Sequence, residues 1–157
     1  MKIIGIDPGL SCTGFGIIEV SKNNKSIIDY GVVRTDSKDP LSERLKVLYE
    51  DLEYIIKKYK PTVMSIEQIF YGKNVKSALL LGHARGVPML LSAIYKLPLY
   101  EFSPRRIKQS LTGNGNSTKE QVQFMVKKIL LMDELPQPID ASDALAIAVC
   151  YNQNFRI

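Results

Sequence analysis

Lys2-Ile3-Ile4-Gly5-Ile6-Asp7-Pro8-Gly9 is a short apolar run that ends on a carboxylate and is stopped by a proline and a glycine. Such a run bounded by turn residues predicts a strand over Lys2–Asp7. The pattern returns at Thr62-Val63-Met64-Ser65-Ile66-Glu67, a second apolar run ending on a carboxylate. Between the two lie Thr13–Val20, a turn at Asn23-Asn24, and Ser26–Arg34, whose Ile27, Ile28, Tyr30, Val32 and Val33 favour a strand. Three strands with short links predict an antiparallel meander. Asp39-Pro40 has the form of an N-cap with proline at the first helical position. Leu41, Leu45, Leu48, Leu52, Ile55, Ile56 and Tyr59 then recur at helical spacing until Pro61.

Further along, Val75–Lys96 reads as a helix that Pro88 should kink or split. Pro98–Phe102 is a fifth strand, Ser103–Leu111 a short helix, and Thr112–Asn116 a glycine-containing loop. Ser117–Leu131 and Asp140–Gln153 are the last two helices. The sum is an α/β fold: a five-stranded mixed sheet flanked by helices. No repeat, linker or low-complexity tract interrupts it, so one domain over residues 1–157 is expected.

Composition removes several classes of function. With 45% hydrophobic and 24% charged residues the chain has the balance of an ordinary globular protein. It shows no uninterrupted apolar stretch near the ~18 residues of a membrane span, and no signal-peptide layout at its start. A cytoplasmic protein without a membrane partner is therefore expected. The two cysteines, Cys12 and Cys150, lack zinc-site spacing and read as small buried hydrophobes. A single histidine, His83, excludes His-rich metal sites; it reads as a packing or interface residue. Between Gln68 and Leu131 stand ten basic residues against two acidic ones, Glu101 and Glu120. A positive middle in a chain of net charge +5 favours a polyanionic partner, nucleic acid first.

Four acids occur where a solvated carboxylate is not expected. Asp7 and Glu67 end apolar strands, and Asp140 and Asp143 stand three apart at the start of an apolar helix, so both can point from one face. Each has a plain alternative: Asp140 an N-cap, Asp143 a first-turn acid favoured by the helix dipole, Asp7 a support for the Pro8-Gly9 turn. Glu67 has none, because a glutamate ending a buried strand gains nothing from turn chemistry. Carboxylates among core residues need a partner, and oxygen donors without histidine or cysteine suit a hard divalent cation, Mg²⁺ or Mn²⁺. Two such ions clamp attacking water and leaving oxygen during phosphodiester hydrolysis.

Gly5-Ile6-Asp7-Pro8-Gly9, Ile66-Glu67-Gln68-Ile69-Phe70, Ser77-Ala78-Leu79-Leu80-Leu81-Gly82-His83-Ala84-Arg85-Gly86 and Asp140-Ala141-Ser142-Asp143-Ala144-Leu145-Ala146 resemble the RuvC family of bacterial Holliday junction resolvases. The likeness covers nearly the whole chain in order. It implies an RNase H-like fold and a homodimer in which each subunit nicks one of two opposed strands of a four-way DNA junction, in recombination and repair. It also implies RuvA and RuvB as branch-migration partners. By position, Asp7, Glu67, Asp140 and Asp143 match the family's ligands for two Mg²⁺ per subunit, with Mn²⁺ as substitute. Some members carry histidine at the position of Asp140; aspartate keeps this site all-oxygen.

Lys108 and Lys119 match lysines that support catalysis and DNA contact, and Phe70 matches an aromatic that stacks near the opened junction centre. Tyr71 is a helper beside it, since base stacking tolerates sequence. Lys73, Lys76, Arg85, Arg105 and Arg106 are candidate phosphate contacts, Arg85 equally a structural residue. The Leu-rich stretch from Ala78 to Ala93, with Gly82 and Gly86, resembles the family's dimerisation helix. Three other readings compete: the YqgF group of RNA-processing relatives, an actin-like ATPase, and a junction-binding module without catalysis. The Phe70 loop and the Ser77–Gly86 segment argue against the first, and 157 residues cannot hold the two domains of the second. All four acids are present, against the third. Shape and phosphate readout of a junction should weaken steeply with salt.

Overall fold

The meander is present in the computed structural model, which describes residues 1–22, 24–69 and 72–155. Strands β1 (Lys2–Asp7), β2 (Cys12–Ser21) and β3 (Asn24–Arg34) pair antiparallel in sequence. Two more strands, β4 (Val63–Glu67) and β5 (Leu99–Phe102), join parallel on the other side of β1, giving the order β3-β2-β1-β4-β5. The helices are α1 (Leu41–Tyr59), α2 (Val75–Ile94), α3 (Pro104–Thr112), α4 (Lys119–Ile129) and α5 (Ile139–Phe155).

Side-chain alternation divides the core into two layers. Ile4 and Ile6 of β1, with Met64 and Ile66 of β4, pack with Leu48, Leu52 and Ile56 of α1 and Leu91 of α2. Ile3 of β1 and Val63 of β4 point the other way, into the layer of α3, α4 and α5 with Ile107, Val126, Leu145 and Ala148. Period two then puts Asp7 on the face of Ile3, and Glu67 on the face of Val63. Both therefore look toward α5. Ser65 confirms the facing, its hydroxyl reaching the Ile147 carbonyl at 3.3 Å.

Glycine lets α5 lie directly on the sheet. A Cβ at Gly5 would meet the Ala144 carbonyl oxygen at 2.1 Å, one at Gly14 the Asp140 carbonyl oxygen at 2.0 Å, and one at Gly16 the Leu145 backbone nitrogen at 2.8 Å. The chain in α5 is buried nearly all round from Ala141 to Asn152, Asp143 excepted.

Several details differ from the sequence reading. Pro40, not Asp39, takes the N-cap place of α1: its ψ of 149° is extended and its carbonyl accepts the Arg44 amide at 3.1 Å, while the Asp39 amide turns back to Asp36. Pro88 does not split α2, which stays a single helix with the buried proline inside it. Thr118 caps α4 through a reciprocal capping box with Gln121, so that helix begins at Lys119 rather than Ser117. The 20-residue α2 contains a window of mean hydropathy 1.3, which by length and composition alone would suffice to cross a membrane. Lys76, His83 and Arg85 interrupt it, which is why a search for unbroken apolar runs passes it over.

Candidate active site

Asp7 and Glu67 stand at the carboxyl ends of two adjacent parallel strands, just past the last pair of their ladder, Ile6 and Ile66. The ends of parallel strands at the sheet centre are where α/β folds present ligand-binding groups. The first turn of α5 comes down over the same spot, and carboxylate oxygens of Asp7, Asp140 and Asp143 lie within 4.8 Å of one another. Glu67 stands outside that triplet but shares a cleft of about 190 Å³ with Asp7, Asp143, Lys108 and Lys119. Sequence reasoning put four acids in one group; the fold makes a close triplet, with Glu67 beside it on the neighbouring strand and lining the same cleft.

The plain alternatives for these acids give way to specific contacts. Asp140 is not a cap, since α5 begins at Ile139 and the Pro138 carbonyl accepts the amides of Ala141 and Ser142 at 3.0 and 3.2 Å. Asp7 does not hold the Pro8-Gly9 turn. Thr13 does: its buried hydroxyl donates to the Gly9 carbonyl at 2.6 Å and accepts the Gly9 amide at 3.2 Å. Its place three residues before Gly16 in an apolar run gave no signal of this. Cys12 is likewise not a fully buried hydrophobe but only partly buried, its thiol donating to Asp140 Oδ2 at 3.3 Å. Burial and that bond push the thiol up to about 11, so it stays protonated at neutral pH. Cys150 is fully buried, as expected.

Crowding of acids governs the electrostatics. Burial, then the charges of Glu67, Asp143 and Asp140, push Asp7 up to about 8, with Lys119 opposing. Glu67 is also raised, by burial and by Asp143, against Lys119 and Lys108. Asp143 is raised by burial, against the hydrogen bond from Lys119. Lys119, the first residue of α4, reaches Asp143 Oδ2 at 3.1 Å, and that bond raises its own pKa. Two lysines, Lys119 and Lys108, do not neutralise four such acids. A site that disfavours its own ionised state this strongly, and offers only oxygen donors, has the chemistry of a hard divalent cation centre. The residues present fit the metal that the motif implies.

The basic residues separate. Lys108 and Lys119 line the cleft from α3 and α4. Lys73 and Lys76 are exposed at the start of α2, and Arg105 is exposed on α3 beside Gly115. Of its two readings, Arg85 has the contacts of a structural residue: its guanidinium is held by the Glu101 carboxylate, the Glu67 backbone carbonyl (3.1 Å) and Met89 Sδ (3.3 Å). Arg106 is exposed on α3, with Nε on Asn154 Oδ1 at 2.9 Å. It lines an open groove of about 900 Å³, with Lys22, Lys25, Asn152 and Asn154, at the far end of α5. That groove is the larger one but has no acid among its described lining residues; the chemistry sits in the smaller cleft. Phe70 and Tyr71 lie outside the described residues. His83 is exposed on α2, its ring bonded to the Leu79 carbonyl, and takes no part in the acid cluster.

Comparison with known proteins agrees with this geometry. The family model for crossover junction endodeoxyribonuclease RuvC matches residues 3–151. The chain is 46% identical over 153 residues to the crossover junction endodeoxyribonuclease RuvC of Desulforamulus reducens, covering 98% of this chain and 94% of that one. Its fold superposes on the Thermus thermophilus RuvC structure with a TM-score of 0.92 at 30% identity, covering 99% and 96% of the two chains. On the same protein in complex with Holliday junction substrate the TM-score is 0.91 at 28% identity, again covering 99% and 96%. With the sheet order, the acid cluster and these matches in agreement, the chain belongs to the RuvC family of crossover junction endodeoxyribonucleases, on an RNase H-like fold.

Proposed function

We propose that this chain, one RNase H-like unit over residues 1–157, resolves four-way DNA junctions by paired symmetric nicks, using carboxylate-held divalent ions. The observation that carries the reading is the triplet of Asp7, Asp140 and Asp143 within 4.8 Å, with Glu67 on the neighbouring strand end lining a cleft that two lysines also line. Four carboxylates with no other donor type are a ligand set suited to two Mg²⁺ per subunit, with Mn²⁺ as substitute. Divalent cations bound there supply Lewis acidity toward water and phosphate oxygens. The chain's part is positioning. Strand ends hold Asp7 and Glu67, and the first turn of α5 holds Asp140 and Asp143. Lys119 stands where it can shield the charge that develops on a phosphate, with Lys108 beside it. Lys73, Lys76 and Arg105 meet the DNA backbone, and Phe70 with Tyr71 stacks at the junction centre.

Paired nicks need two sites, and α2 supports a homodimer. Val75, Leu79, Leu90 and Ile94 are 51%, 61%, 54% and 49% exposed. At about 100° per residue they fall on one stripe, with Gly82 and Gly86 within it and nothing near either glycine. An exposed apolar stripe with small residues at its middle suits a second copy of the same helix. RuvA and RuvB as branch-migration partners, and a cytoplasmic site of action, follow from the same reading.

The test is cleavage of a synthetic four-way junction beside a linear duplex of the same sequences, in Mg²⁺ or EDTA. Paired, metal-dependent nicks confined to the junction and lost in Asp7→Asn and Glu67→Gln are expected. Equal cutting of both DNAs, or cutting of RNA instead, would overturn the proposal.

A further inference from the structure

Arg85 lies on α2, yet its side chain is only 13% exposed and its guanidinium faces the sheet. It makes three contacts with the chain. Nη2 pairs with the Glu101 carboxylate on β5, Nε donates to the Glu67 backbone carbonyl on β4 at 3.1 Å, and Nη1 lies 3.3 Å from Met89 Sδ one turn along its own helix. The Glu67 bond matters most, because β4 has left the β1 ladder at that point, the last pair being Ile6 with Ile66. On the other side, the Gln68 amide still bonds the Phe102 carbonyl at 2.8 Å. The backbone from which the Glu67 carboxylate projects is thus held from β5 on one flank and from Arg85 on the other.

We infer that Arg85 is a positioning residue for the metal centre: it fixes the backbone of Glu67 from α2 and sets the direction of that carboxylate. The inference rests on the assignment of Glu67 as a metal ligand. A planar guanidinium can hold the Glu101 carboxylate and the Glu67 carbonyl at once in a fixed fork, which a lysine ammonium does not reproduce. Groups that orient a metal ligand change metal affinity or activity by about 10–100-fold when lost. The bond also ties the catalytic strand end to the helix that carries the exposed apolar stripe.

The experiment measures Mn²⁺ binding by electron paramagnetic resonance, without DNA, in the full chain and in Arg85→Lys, Arg85→Gln and Glu101→Gln, with Glu67→Gln as reference. Junction affinity in EDTA and the melting temperature are read on the same samples. Arg85→Gln is expected to weaken Mn²⁺ binding about tenfold, in the direction of Glu67→Gln, while junction affinity stays within about twofold. Arg85→Lys should recover only part of the loss, and Glu101→Gln, which keeps the guanidinium on the Glu67 carbonyl, should fall between. Mn²⁺ binding unchanged in Arg85→Gln would overturn the inference, whatever the melting temperature does. Intact Mn²⁺ binding with a loss of junction affinity would overturn it as well, restoring Arg85 as a DNA contact. Should Glu67→Gln itself leave Mn²⁺ binding intact, the metal-ligand assignment fails instead, and the two failures are told apart.

Discussion

A single methyl group at Gly14 tests whether close contact between α5 and the sheet sets the geometry of the acids. Gly14 is paired opposite Asp7 in the β1–β2 ladder, and a Cβ there would lie 2.0 Å from the Asp140 carbonyl oxygen and 2.5 Å from its carbon. Real Cβ atoms essentially never come closer than 3.0 Å, so Gly14→Ala must push the first turn of α5 outward by about 1 Å. Backbone meets that methyl, not a flexible side-chain end, so rotamer changes cannot relieve it. Overpacking of this kind costs about 1–3 kcal/mol, a loss of several degrees in melting temperature for a chain of this length. The larger effect should fall on function, because Asp140 moves away from Asp7. A misplacement of about 1 Å typically lowers the rate roughly a hundredfold. Gly31→Ala is the comparison, since its Cβ would meet only the Phe15 ring edge, at 3.1 Å, in the core layer on the other face of the sheet from α5. Thermal melts, Mn²⁺ titration and single-turnover nicking of a four-way junction read the three consequences. Both variants should lose stability, but only Gly14→Ala should lose metal affinity and nicking out of proportion to it. Nicking by Gly14→Ala within about threefold of the parent, at a lower melting temperature, would refute the argument.

Three further outcomes are expected. Because Asp7 is raised from 3.8 to about 8 on folding, the folded metal-free chain holds its proton more tightly than the unfolded one. That contribution to stability is fully present below about pH 4 and is lost as pH rises through about 8. Melts in EDTA from pH 5 to pH 9 should therefore show a falling midpoint that Asp7→Asn or saturating Mg²⁺ flattens; an identical slope in Asp7→Asn would remove Asp7 as the cause. Lys119→Met should lower single-turnover nicking by roughly a hundredfold while leaving junction binding within a few-fold, as expected of a group that shields developing charge. A parallel loss of binding would make it a DNA contact first. Lys73→Ala and Lys76→Ala should each reduce the slope of log affinity against log salt by about 1, measured by junction binding at several salt concentrations. Unchanged slopes would take α2's start out of the DNA surface.

Local rules made much of this molecule legible. Apolar runs stopped by Pro8-Gly9 and a meander turning near Asn24 put Asp7 at a strand end. Thr62–Glu67 did the same for Glu67, and the motifs around all four acids carried the family. These features depend on neighbours in sequence, so the sequence by itself determined them. Tertiary packing decided what distance those acids keep: Gly5, Gly14 and Gly16 are ordinary small residues of strands until α5 lies on them. Only then do three carboxylates close to within 4.8 Å, with Glu67 lining the same cleft outside that triplet. The fates of Arg85 and Arg106 were also decided there, because whether a guanidinium faces water or an internal acceptor depends on partners far along the chain, Glu101 for one and Asn154 for the other. Residue type and spacing fix which groups can meet. The direct seating of a helix on a glycine-lined sheet fixes which of them do, since a displacement of one methyl group there is as large as the tolerance of the site.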